Sequence, residues 1–236
     1  GGSMTKIKMC GLRKPEDIEA VNEWKPDYVG FVFAPKSKRY VTAEQAAELK
    51  AHLDPKIQAV GVFVDEAPER VAALLNEGVI DLAQLHGSED EEYLVKLRKL
   101  TEKPIIQAFR IRTKEDAERA MQSSADEILL DSGAGTGSTF NWEILRIESG
   151  YDRAIDAEKA GEKPFCTKRN REKSLYAEET RPYFLAGGLN PQNVADAIRQ
   201  LHPYAVDVSS GIETDGSKDR EKIAAFVTAV RKENNL

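Results

Sequence analysis

The chain has 236 residues, 41% of them hydrophobic and 31% charged, the composition of an ordinary globular protein. That length suits one barrel domain or two small ones, and it can bury a core without help from disulfides or a metal. With 34 Lys and Arg against 40 Asp and Glu, the net charge of −6 argues against a general nucleic-acid binder, while leaving room for a local basic site that holds a small anion.

Taken in chain order, near-continuous apolar runs predict strands at 6–10 (KIKMC), 28–33 (YVGFVF), 58–64 (QAVGVFV), 82–86 (LAQLH), 105–111 (IIQAFRI), 127–131 (EILLD), 183–187 (YFLAG) and 205–209 (AVDVS). Such runs suit strands covered on both faces, not a sheet with one wet side. Helical periodicity fills the intervals. Thr42 with Gln45, and Ser88 with Glu91, have capping-box spacing, and Asn190-Pro191 offers an N-cap followed by proline. Val194, Ala197, Ile198 and Leu201 recur at one helical face, as do Ile223, Phe226, Val227 and Val230. Strand–helix alternation implies a parallel sheet, because parallel strands need crossover connections. The units are similar in size, and no G-x-G-x-x-G follows the first strand, so a closed α/β (β/α)8 TIM barrel is favoured over an open dinucleotide-binding sheet.

A single barrel domain is thus expected over residues 4–236, with Gly1-Gly2-Ser3 as a cloning remnant ahead of Met4. The polar stretch 149–181 interrupts the rhythm and reads as an insertion between the sixth helix and the seventh strand. It is either a tolerated surface segment or an oligomer contact or lid. Cys10 and Cys166 are too few for a disulfide framework. No signal-peptide pattern is present, and no apolar run reaches the ~18 residues of a membrane span. A cytoplasmic protein is expected, with no membrane or nucleic-acid partner.

Barrels of this type build their active sites from the C-terminal strand ends and the loops that follow. Here those ends carry Cys10-Gly11, Ser37-Lys38-Arg39, Asp65, His86-Gly87, Arg110, Asp131, Gly187-Gly188 and Asp207-Val208-Ser209-Ser210-Gly211. Burial alone would not select so many polar, reactive or glycine groups. Glycine loops after strands seven and eight let backbone N–H groups approach an anion, with serine hydroxyls as added donors, so Gly187, Gly188, Ser209, Ser210 and Gly211 form a candidate phosphate site. Cys10 and Asp131 are the candidate proton-transfer pair. Taken singly, Cys10 also reads as a small buried hydrophobe, Asp131 as a cap, His86 as a core histidine and Arg39 as a solvated charge. No H-x-x-x-H or C-x-x-C spacing suggests a metal, and no nucleophile elbow suggests a serine hydrolase.

The segments KMCGL (8–12), GFVFAPKSKRYV (30–41), GVFVDE (61–66), AQLHGSED (83–90), LLDSGAGTGSTFNW (130–142), FLAGGLNPQNV (184–194) and DVSSGIE (207–213) resemble those of phosphoribosylanthranilate isomerases, in order and across nearly the whole chain. The stretch 149–181 departs from that family's usual short connection. The resemblance implies an Amadori rearrangement of N-(5-phosphoribosyl)anthranilate in tryptophan biosynthesis, with neither metal nor organic cofactor. It implies Cys10 as general base, Asp131 as general acid and Arg39 on the anthranilate carboxylate. It further suggests Asp207 and His86 in substrate binding, and the glycine loops on the phosphate. A base at Cys10 asks for a stabilised thiolate, with nearby cations as the means, and an acid at Asp131 asks for a raised carboxyl pKa. Two rivals share the barrel: the histidine-pathway aminoaldose-phosphate isomerase, which carries an aspartate where Cys10 stands, and indole-glycerol-phosphate synthase, which uses lysine and glutamate. A non-catalytic phosphosugar-binding barrel is the alternative from another class. The pattern leaves monomer and homodimer equally open.

Overall fold

Eight short strands carry the scaffold of the computed structural model, which describes residues 4–132, 140–148 and 181–236. They are β1 (Lys6–Cys10), β2 (Tyr28–Val32), β3 (Gln58–Phe63), β4 (Leu82–Leu85), β5 (Ile105–Arg110), β6 (Glu127–Asp131), β7 (Tyr183–Ala186) and β8 (Ala205–Val208). All pair in parallel and in sequence order, and β8 returns to β1, so the sheet closes on itself. The helices are α1 (Pro15–Trp24), α2 (Ala43–His52), α3 (Pro68–Asn76), α4 (Glu91–Arg98), α5 (Lys114–Met121), α6 (Phe140–Glu148), α7 (Val194–Leu201) and α8 (Arg220–Asn234). A 3-10 turn (Ser210–Ile212) and a two-stranded ribbon, β9 (Glu213–Thr214) with β10 (Ser217–Lys218), lie between β8 and α8.

Six strands stop one residue short of the predicted end, because the chain leaves the ladder where the loops begin. Gly187, at φ +100°, turns out of β7, and Val64 beyond β3 is half exposed. The helical faces are as periodicity predicts: Val194, Ala197, Ile198 and Leu201 are buried, as are Ile223, Phe226, Val227 and Val230. Thr42 and Gln45 form the reciprocal cap of α2. Ser88 does not cap α4. Asp90 does, accepting from the Tyr93 N–H at 2.9 Å, because its carboxylate stands immediately before the first turn. Ser88 instead donates through its N–H and Oγ to Asp65. Asn190 caps a turn over 191–193 through the N–H groups of Gln192 and Asn193, and α7 begins only at Val194.

Side chains alternate along a strand, so each strand sends one set inward and one toward the helices. Tyr28, Val60, Leu82, Ile106, Leu129, Phe184 and Ala205 pack together as the inward set of the lower barrel. Continuing by twos along β4, β6 and β8 brings His86, Asp131 and Ser209 to the upper mouth, and on β1 Cys10 follows Lys8 in the same way. The stretch 149–180, with Cys166 in it, residues 1–3, and residues 133–139 of the LLDSGAGTGSTFNW motif lie outside the described residues. Arg181 is described, and donates to the carbonyls of Ser123 (2.5 Å) and Ala125 (2.6 Å).

Candidate active site at the barrel mouth

β1 places Lys8 and Cys10 on one side of the strand, and β8 places Asp207 beside Lys8 in register. The Lys8 Nζ lies 3.1 Å from the Asp207 Oδ1, with the lysine wholly buried and the aspartate nearly so. Burial works against the Lys8 charge, but Asp207 and hydrogen-bonded Cys10 outweigh it and hold the ammonium pKa above its ordinary value. Cys10 is buried above this pair. Its neighbour on β2 is Gly30, where a Cβ would come within 2.5 Å of the Cys10 Sγ, so the thiol fills space that a side chain would take. Burial pushes the Cys10 thiol up, Asp207 adds to the rise, and Lys8 and Lys218 pull against it. The cations expected beside Cys10 are therefore present, yet the net shift is opposite to a stabilised thiolate, because desolvation outweighs them.

Across the mouth, Asp131 ends β6 beside Arg110 of β5 and Ala186 of β7. The His86 Nε2 sits 3.4 Å from its Oδ2, and the His86 Nδ1 meets the Gln84 Nε2 at 2.9 Å. Gly187 is confined by this arrangement: a Cβ there would lie 2.7 Å from the Asp131 Oδ1 and 2.6 Å from the Ser132 Oγ, and φ is +100°. No other residue type fits.

Arg39 lies over Gly11, where a Cβ would come 2.4 Å from its Cδ. Its guanidinium engages Glu213 with two parallel bonds, Nε to Oε2 at 2.9 Å and Nη2 to Oε1 at 2.7 Å. Glu213 thus occupies the Nε–Nη2 edge of the guanidinium. Lys218 reaches the same carboxylate at 2.9 Å and the Ser209 carbonyl at 3.1 Å. Burial opposes the Glu213 charge, but bonds from Arg39 and Lys218 outweigh it and bring the carboxyl down to about 2. Burial lowers the Lys218 pKa, and Glu213 recovers part of the loss.

The two glycine loops touch backbone to backbone. A Cβ on Gly211 would lie 1.9 Å from the Leu189 carbonyl oxygen, so only glycine lets Ser209-Ser210-Gly211 pack on the loop of Gly187 and Gly188. Asn193 ties that loop down, donating from Nδ2 to the Gly188 carbonyl at 2.9 Å.

The structure thus gathers Cys10, Asp131, His86, Arg39, Asp207 and both glycine loops at one end of the barrel. Asp207 is engaged by Lys8 before any substrate arrives. Sequence reasoning missed Lys8, Gln84, Glu213 and Lys218. A lysine inside the apolar run KIKMC, two places before Cys10, was a signal for the first. Among the described residues no three His, Cys, Asp or Glu side chains are placed to hold a metal, and no helix is long and apolar enough to cross a membrane.

Comparison with known proteins agrees with this geometry. The family model for N-(5'-phosphoribosyl)anthranilate (PRA) isomerase matches residues 7–157 and 168–229. An N-(5'-phosphoribosyl)anthranilate isomerase of Thermoanaerobacter sp. (strain X514) is 41% identical over 233 residues, covering 97% of this chain and 98% of the relative. The crystal structure of phosphoribosyl anthranilate isomerase from Thermotoga maritima superposes with a TM-score of 0.77 at 33% identity, over 97% of this chain and 100% of that one. A phosphoribosyl anthranilate isomerase in complex with reduced 1-(o-carboxyphenylamino)-1-deoxyribulose 5-phosphate gives 0.74 at 32% identity, over 97% and 100% of the two chains.

Proposed function

The chain belongs to the N-(5'-phosphoribosyl)anthranilate isomerase family, and from that premise we propose that it converts N-(5-phosphoribosyl)anthranilate to 1-(2-carboxyphenylamino)-1-deoxyribulose 5-phosphate, an Amadori step of tryptophan biosynthesis carried out in the cytoplasm by a monomer or homodimer. The observation that carries this reading is an inward thiol and an inward carboxylate on opposite sides of one mouth, Cys10 on β1 and Asp131 on β6. A guanidinium for a carboxylate and paired glycine loops for a phosphate complete the mouth.

Asp131 gives its proton to the furanose ring oxygen while the substrate nitrogen lone pair expels that oxygen from C1′, opening the ring to a protonated Schiff base. Cys10, as thiolate, removes the C2′ proton, and the electron pair left behind neutralises the iminium to an enolamine. Tautomerisation returns a proton to C1′ and leaves the ketone at C2′. Each positioned acid or base of this kind typically contributes about 10²–10⁴-fold. Arg39, anchored by Glu213 through Nε and Nη2, meets the anthranilate carboxylate with the Nη1 side of its fork. Gly187, Gly188, Ser209, Ser210 and Gly211 receive the phosphate. Asp207, steadied by Lys8, faces the sugar hydroxyls.

The test is loss of phosphoribosylanthranilate fluorescence, with substrate made in place by a coupled transferase. Wild type should consume it rapidly. Cys10→Ala and Asp131→Asn should each lower kcat by about 10²-fold or more while remaining folded, and Arg39→Ala should act mainly on KM. A folded wild type that leaves the fluorescence untouched would sink the reading, with the histidine-pathway substrate assayed next.

A further inference from the structure

Gln84 lies on β4 inside the barrel, 1% exposed, two residues before His86 and on the same side of the chain. Only half of its amide is used. The Nε2 meets the His86 Nδ1 at 2.9 Å, while the Oε1 is buried with no hydrogen-bond partner among the described residues. A buried, unsatisfied carbonyl costs stability that a methionine or leucine of similar volume would not. The bond to His86 is what the glutamine offers in return. As placed, the amide turns its NH2 group, not its carbonyl, toward the ring.

An amide N–H only donates. The His86 Nδ1 must therefore accept, and a neutral imidazole that accepts at Nδ1 carries its proton on Nε2. That nitrogen is the one 3.4 Å from the Asp131 Oδ2. We propose that Gln84 is a positioning residue of the isomerisation, locking His86 in the Nε2–H tautomer so that the ring donates to Asp131. At 3.4 Å the pair is longer than a formed hydrogen bond, and an N–H donated to a carboxylate favours its ionised form. The charge on Asp131 appears as its proton passes to the ring oxygen, so the His86 donor is in place before that charge forms, and the contact shortens as it does.

The inference rests on the reading of Asp131 as the acid, and its test separates the two. The chain has three histidines, His52, His86 and His202, so 15N-histidine NMR of the unliganded protein resolves them, with His86→Gln as the assignment control. Wild-type His86 should show a pyridine-like Nδ1 and a pyrrole-like Nε2. Gln84→Glu keeps the size but accepts where Gln84 donates, so it should place a proton on Nδ1. Gln84→Met offers neither and should leave the two tautomers exchanging, which also guards against a Gln84→Glu variant that fails to fold. kcat should fall about tenfold in Gln84→Glu, roughly the worth of one hydrogen bond to an ionising group, and about twofold in Gln84→Met, where part of the population keeps Nε2–H, with KM within about twofold of wild type in both. A protonated Nδ1 in wild type overturns the proposal whatever the activity. So does a proton on Nδ1 in folded Gln84→Glu with kcat unchanged. The tautomer is read without turnover, so its failure is distinct from failure of the Cys10 and Asp131 assay.

Discussion

Cys10, the base in the reading proposed above, is buried, and burial alone makes a thiol a poorer base. Lys8, a fully buried cation beneath Cys10 kept charged by Asp207, pulls against this. The sign of the effect sets a pH dependence. The base works deprotonated, and its pKa is raised by burial and by Asp207, so kcat/KM should climb as pH rises from neutral into the alkaline range. Lys8 and Lys218 pull the other way. Lys8→Met should therefore move the rising limb to higher pH and reduce kcat/KM at pH 7 by about tenfold or more. Removing the lysine alone strands the Asp207 charge, so the variant's fold is checked by circular dichroism before its profile is read. An unmoved pH profile in folded Lys8→Met would remove Lys8 from the chemistry. The sequence shows Cys10 clearly, because a strand end is where this fold does chemistry. A lysine within the apolar run marks Lys8, but what it pairs with is hidden, because Asp207 lies 199 residues away.

At the scale of elements, the β9–β10 ribbon decides how Arg39 is held. Glu213 opens the ribbon and takes both Arg39 and Lys218 onto one carboxylate, with Lys218 closing the ribbon opposite it in register. Glu213 stood within the DVSSGIE segment, but only the folded ribbon reveals what it touches. Its pKa is depressed from 4.5 to about 2, so the stability it contributes is fully present above about pH 4.5 and is lost as pH falls toward 2. Glu213→Gln leaves a buried Lys218 and a partly exposed Arg39 without their counter-charge. It should cost roughly 1–3 kcal/mol at pH 7, less than breaking a fully buried pair because solvent reaches Arg39. The gap from wild type should narrow below pH 4.5, read as the urea midpoint at successive pH values. A constant gap from pH 7 down to pH 3 would mean that the carboxylate charge is not what matters. The variant should also raise KM through a loosened Arg39. Capping shows a similar limit of legibility. Thr42 and Gln45 were readable because cap and helix are adjacent in sequence, whereas Ser88 lost to Asp90 once Asp65, from the neighbouring loop, claimed its hydroxyl.

For the whole molecule, the eight apolar runs sufficed to read the closed barrel, since parallel strands covered on both faces leave few alternatives to closure. What they do not contain is the seam, where β8 meets β1 and the two ends of the chain come together. There the Asn234 side chain, in the last turn of α8, accepts from the Thr5 N–H at 3.0 Å and donates to the Thr5 carbonyl at 3.1 Å. These bonds reach across 229 residues of sequence and lie below β1, at the end of the barrel away from the mouth. Asn234→Ala removes both and leaves the buried Thr5 to find water or strain, which should cost about 1–3 kcal/mol. Tm should fall by about 2–4 °C for each kcal/mol lost in a chain of this size, with the denaturant m-value unchanged if the barrel still unfolds as one unit. Because the mouth is remote from the Thr5–Asn234 contact, kcat and KM should match wild type at temperatures where both are folded. A lowered m-value would show instead that the first strand and last helix detach before the rest, and a loss of kcat would show that the seam sets the register on which Lys8, Cys10 and Asp207 depend.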